Sequence, residues 1–143
     1  MGNLNTNFRP ITSGDAWGIE EVQMTASVAM EAGSGIYAPG DGEDTIVTTS
    51  SANFTGILIE PIAATDDDYA TAKKKKLCFV RKKKGARAIC TVSGTFTTDD
   101  VGKNVDFADA VSLDVDTSTH DQATIRKYIS ATRAECEFND NIE

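Results

Sequence analysis

At 143 residues the chain has room for one domain with a real core, and too little for two of ordinary size. Its composition, 40% hydrophobic and 25% charged with 11 glycines, excludes fibrous and disordered classes. The net charge of −8 is unevenly spread: of 14 basic residues, nine lie between Lys73 and Arg87 without an acid among them, so five face 22 acids elsewhere, a poor balance for wrapping nucleic acid.

Residues 1–21 read as an extended N-terminal arm. Pro10, Gly14 and Gly18 interrupt regular structure, and Leu4, Phe8, Ile11 and Trp17 follow neither a helical nor a strand period. Phe8 and Trp17 are costly to leave in water, so the arm either frays or docks on its own body or on a partner. From Val22 the text turns to strands, with Val22, Met24, Ala26, Val28 and Met30 alternating with polar or small residues. Pro39-Gly40-Asp41-Gly42 is turn chemistry, and Thr45–Thr49 reads as a short strand. Phe54–Ile62 is the strongest apolar run, and Gly56 within it marks a bulge or a close backbone approach.

Leu77–Arg81 and Ala86–Phe96 flank Lys82-Lys83-Lys84-Gly85 and read as a hairpin that places Cys78 opposite Cys90. Thr97–Lys103 reads as a loop or single helical turn, capped by Thr97 or Asp99 and stopped by Gly102. Short strands follow at Val105–Ala108, Val111–Val115, Thr124–Ser130 and Ala134–Phe138. The expected fold is mainly β: a single-domain small β-barrel or β-sandwich of about nine short strands over residues 22–138, with an acidic tail at 139–143.

The chemistry-bearing residues are sparse. Three cysteines, none in a CxxC pair, argue against a disulfide framework or cysteine-held zinc and for reduced, buried thiols. His120 is the single histidine and lies in a polar loop, so a surface histidine outweighs a nucleophilic triad. Asp114, Asp116, Ser118 and Asp121 resemble a calcium loop in part, but Thr119 and Ile125 stand where an EF-hand needs glycine and an acid; a looser site stays open. No phosphate-binding glycine loop, HExxH or GxSxG occurs. The expectation is no enzyme, no cofactor and no metal. Residues 1–10 lack the pattern of a signal peptide, and no run approaches the roughly 20 apolar residues of a membrane span, so a protein soluble where it is made is expected.

The sharpest feature is basic. Lys73, Lys74, Lys75 and Lys76 precede the strand at Leu77, and Arg81, Lys82, Lys83, Lys84 and Arg87 follow it. Solvated gatekeepers of an edge strand, a docking surface for an acidic protein partner, and nucleic-acid binding are the three readings, the last disfavoured by the acidic remainder. The arm residues Phe8, Arg9, Ile11 and Trp17 are the matching candidates for partner contact.

Phe54-Thr55-Gly56-Ile57-Leu58-Ile59, the strand around Val80-Arg81, the strand Ala88–Val92, and above all the turn Asp99-Asp100-Val101-Gly102-Lys103 leading into Asn104-Val105 resemble capsid decoration proteins of tailed phages over roughly residues 50–138. A Gly-Arg step frequent in that family is replaced here by Gln122-Ala123, and the lysine clusters depart from its pattern. The resemblance implies a structural protein on the outer capsid surface of a virion. Its partners would be the major capsid protein and neighbouring decoration subunits, as a homo-oligomer with a trimer favoured. Another virion β protein (tail-tube, head-completion or receptor-binding) is the alternative, and a carbohydrate-binding or cell-surface-binding module the next.

Overall fold

A computed structural model describes residues 7–139. Eleven strands run in chain order: β1 (Arg9–Pro10), β2 (Trp17–Met24), β3 (Gly35–Tyr37), β4 (Thr45–Ile46), β5 (Phe54–Leu58), β6 (Lys74–Arg81), β7 (Arg87–Ser93), β8 (Asn104–Asp109), β9 (Ser112–Asp114), β10 (Ala123–Ser130) and β11 (Arg133–Phe138). The mainly β expectation holds, and the single helical turn is a 3-10 turn at Thr98–Asp100.

Strands β7, β11, β10, β8 and β9 close into a five-stranded barrel, because β9 returns to pair with β7 in parallel through Thr91–Ser112, Val92–Leu113 and Ser93–Asp114. Alternation fills it: along β7 Ala88, Cys90 and Val92 point inward, and along β11 Ala134, Cys136 and Phe138 do the same. The small alanines and cysteines are what a ring of five strands can hold inside. The second sheet, ordered β2-β6-β5-β3-β4, curls until its ends meet. The Thr25 N–H donates to Asp44 O at 2.9 Å, and the Asp44 N–H donates to Gln23 O at 2.8 Å.

Aromatic rings weld the two sheets. Phe54 of β5 stacks on Phe138 of β11 at 4.2 Å, with Phe107 of β8 beside them. Phe8 meets Phe107 and Phe138 edge-on at 5.7 and 5.4 Å, and Trp17 meets Phe138 at 5.9 Å. A smaller apolar cluster, including Met24, Met30, Ile36, Leu58 and Ile62, fills the curl of the second sheet.

Three expectations are corrected. The arm at 1–21 is not separate from the body: Phe8 is fully buried, β1 pairs with β7, and β2 pairs with β6 along its whole length. Its strand period was masked because β2 lies at a sheet edge, with Gly18 and the exposed Ile19 breaking the apolar alternation. Residues 1–6 of the expected arm, and 140–143 of the expected tail, lie outside the described residues; Asn139 itself donates to Gln122 O and Asp121 O.

The hairpin across Lys82–Gly85 is also corrected. β6 pairs with β2 and β5, whereas β7 belongs to the barrel, so the link crosses from one sheet to the other. Gly85, at φ +83, supplies the left-handed step, and the Lys82 N–H is taken by Ala16 O. Cys78 therefore does not face Cys90. Cys78 belongs to the second sheet's cluster, and Cys90 Sγ lies 3.7 Å from Cys136 Sγ inside the barrel. All three thiols are free and buried, as expected. Burial pushes Cys78 up to about 12, and the hydrogen bond from Cys90 together with burial raises Cys136 well above the ordinary thiol range.

The third correction is at Val22–Met30. The strand stops at Met24, and Ser27 at φ +60 turns the chain away. Its loop is held by Lys74, whose buried ammonium donates to the carbonyls of Thr25 and Tyr69 at 2.8 and 3.0 Å.

Asp44, at the seam where the second sheet closes, is the one buried carboxylate with an unpartnered oxygen among the described residues. Burial raises its pKa above the ordinary carboxylate value, opposed by a hydrogen bond from Thr55. A raised folded pKa means that its stabilising contribution is complete below the unfolded value and is lost as pH rises through the folded one. Asp44→Asn should therefore gain stability relative to the parent chain between acid and neutral pH. Urea titrations at pH 4 and pH 7 check this: a stability difference independent of pH would show that Asp44 does not titrate abnormally.

Candidate docking surface

The two basic clusters sit at opposite ends of β6 and have different fates. At the first end, Lys74 is buried under the carbonyls above, and Lys76 Nζ lies 2.9 Å from Asp68 Oδ2. That contact lowers the Asp68 pKa and raises that of Lys76. The Lys73 backbone N–H donates to Glu43, and Lys75 is exposed beside them. This cluster begins β6 rather than preceding it, and neighbouring acids and carbonyls absorb much of its charge.

At the other end, about 23 Å away along an eight-residue strand, Lys82, Lys83 and Lys84 are all exposed. Lys82 pairs with Glu20 of β2. Arg81 is anchored instead: its guanidinium donates to Phe138 O and Asn139 O at 3.4 Å and lies 5.8 Å over the Phe54 ring. Arg87 pairs with Glu135 at 2.9 Å, and Glu137 is 3.9 Å away.

The arm and the basic loop meet at this end. Ile11, Gly14 and Ala16 face Lys83, Lys84 and Arg87 across an open depression of about 370 Å³. Three of the expected arm contacts thus take different places: Ile11 lines the depression, whereas Phe8 and Trp17 are sunk in the aromatic core and present nothing to a partner. Arg9 is exposed on β1, opposite Ile89 of β7.

The turn at Asp99, Asp100, Val101, Gly102 and Lys103 forms a separate feature over the end of β10. Thr97 is its cap: its hydroxyl accepts from Asp99 N–H at 3.3 Å, while Asp100 accepts from Thr97 N–H at 2.9 Å. Gly102 turns at φ +92 and donates to Ile125 O, and Lys103 pairs with Asp100 at 3.6 Å. Only Val101, 45% exposed, is presented outward as an apolar group.

The loop 116–122 is more ordered than its polar composition suggests. Asp106, buried in β8, accepts from the N–H groups of Thr119 and His120 at 3.0 and 2.8 Å. Gln122 accepts from Phe107 N–H and donates to Thr48 O and Ser51 O, tying the barrel to the second sheet. Asp114 and Asp116 serve as local caps for Asp116 N–H and Thr95 N–H. Among the described residues no cluster of three histidine, cysteine or acidic side chains is placed to hold an ion. Asp106, in a strand, and Gln122, in the loop before β10, escaped the sequence reading because a polar residue gives no sign of which backbone groups it will satisfy.

No protein-family model matches the chain, and no characterised protein matches it in sequence.

Proposed function

We propose that this is a structural virion protein of the decoration type, which binds the outer surface of a phage capsid and stabilises the expanded shell. The observation that carries the reading is the exposed basic loop at one end of an acidic, cross-welded β body, beside the open depression that Ile11, Lys83, Lys84 and Arg87 line: it offers a docking element of opposite sign to the rest of the chain. Tying neighbouring shell subunits together needs no bond chemistry, only a specific interface on the order of 1,600 Å² repeated over many copies. The resemblance over residues 50–138, which rests above all on the capped turn at Thr97–Lys103, supports this reading.

The test is kinetic. Replacing Lys82, Lys83 and Lys84 with Gln should slow association with capsid shells about tenfold or more at low salt and flatten its salt dependence, with dissociation nearly unchanged. The fold should persist, since exposed positions usually cost under about half a kcal/mol. Binding kinetics at two ionic strengths measure this. An association rate indifferent to both salt and substitution would remove the loop from the mechanism, and a purified protein that assembles into tubes but does not bind shells would favour a tail component.

A further inference from the structure

We propose that a second copy of this chain is the acidic partner of the Lys82–Lys84 loop, and that the loop seats in a cavity at the opposite end of the second sheet. This rests on the reading of the loop as a docking element and adds a neighbouring subunit to the shell as what it docks to.

The cavity, about 590 Å³, opens between the β8–β9 turn and the loops at 29–34 and 61–66. Met30, Ile46, Ile62 and Val111 make its walls, and Glu31, Asp66 and Asp109 contribute the charged part of its lining, with no lysine or arginine among them. Such walls cannot solvate an ion, but the carboxylates can receive one. The fitting occupant is therefore an aliphatic stem ending in a cation, which is the chemistry of a lysine side chain.

The carboxylates are held in place by contacts that leave further acceptor capacity. Asp109 accepts from Val111 N–H and Ser112 Oγ, Asp66 accepts from Ala63 N–H, and Glu31 accepts from Asn7 Nδ2. The chain carries the matching group itself, with Lys83 exposed in a loop flanked by Lys82 and Lys84. The loop follows β6, and the cavity lies toward that strand's start, where Asp66 lines it and Lys76 is occupied by Asp68. Socket and plug thus sit at opposite ends of one rigid sheet and cannot meet within one molecule. Their contact is head-to-tail, the heterologous kind that builds rings or open strings. A chain of net charge −8 can associate with itself only where local signs oppose, and this pair of sites provides that.

Sedimentation velocity of the full chain, over a rising concentration series at low ionic strength, tests the proposal. The parent protein should associate, and added salt should weaken it. Lys83→Glu and Ala63→Lys, both at exposed positions, should each weaken association at least about tenfold, because like charges then meet. An equimolar mixture of the two variants should recover it, since the unchanged loop of Ala63→Lys then meets the unchanged socket of Lys83→Glu, and the new carboxylate faces the new ammonium at the next contact. A parent chain that stays monomeric throughout, a single variant that associates normally, or a mixture that does not recover overturns the socket. Shell binding separates the two claims. If the Lys82–Lys84 substitutions slow attachment while Ala63→Lys leaves self-association unchanged, the socket falls and the docking reading stands; if those substitutions attach like the parent, the docking reading falls.

Discussion

Phe8→Ala should destabilise the protein by about 3–5 kcal/mol, a large share of what a domain of this size has. Phe8 is fully buried, and its ring meets Phe107 and Phe138 edge-on from one side of the aromatic weld. Truncation removes those contacts and leaves a void between two sheets that cannot close on it, because each is locked by its own ladder. The neighbouring backbone reinforces the point: Phe8 N–H donates to Gly33 O, and Asn7 Nδ2 donates to Ala32 O. Arg9→Ala, exposed one position later, should change stability by less than about half a kcal/mol. Urea denaturation of both variants is the measurement. A loss below about 1 kcal/mol for Phe8→Ala would return that residue to the role of a docking arm.

What the sequence revealed and concealed follows from how each element is held. Strands with a clear alternation, such as Ala88–Val92 and Ala134–Phe138, were legible because one face fills a barrel and the other meets water or charged partners. The turn at Thr97–Lys103 was legible because capping chemistry is local. β1 and β3 were not, since two- and three-residue strands have no period to read and exist only through their partners. The pairing of β6, an eight-residue strand, was concealed for a different reason, the distance in sequence to its partners. Adjacency in sequence favours a hairpin, but β2, β5 and β6 share one sheet through contacts between residues tens of positions apart.

The candidate surface was half legible. The nine basic residues between Lys73 and Arg87 are visible in any reading, yet the different fates of their two clusters are not. Lys74 is drawn under carbonyls from loops at 25 and 69–71, and Lys76 is claimed by Asp68. Only the fold shows that Lys82, Lys83 and Lys84 remain exposed, and that Ile11 joins Lys83 and Lys84 at one depression.

The second large effect is expected at Gly56, in the middle of β5. A Cβ there would stand 1.9 Å from the Phe79 carbonyl oxygen, 2.9 Å from Phe79 C and 3.1 Å from Val80 Cα. All three atoms are backbone, so no rotamer change relieves the clash, and β5 and β6 must part. Neither can do so freely. β6 is paired with β2 at all eight positions, and β5 is held by β3 on its other side, where the ladder already carries a bulge between Ile36 and Tyr37. Parting the strands would also break the contact of Phe54 with Phe138, which joins the second sheet to the barrel. Gly56→Ala should therefore cost more than about 4 kcal/mol, the range reserved for disruption of core backbone or packing. Gly14→Ala is the control: it has positive φ but open space around it, and should cost only the 1–2 kcal/mol or so of left-handed strain. Thermal melts of the two variants side by side decide the matter. A Gly56→Ala protein that melts within a few degrees of the parent would mean that β5 and β6 do not approach as closely as described, and that the second sheet is looser than its ladder implies.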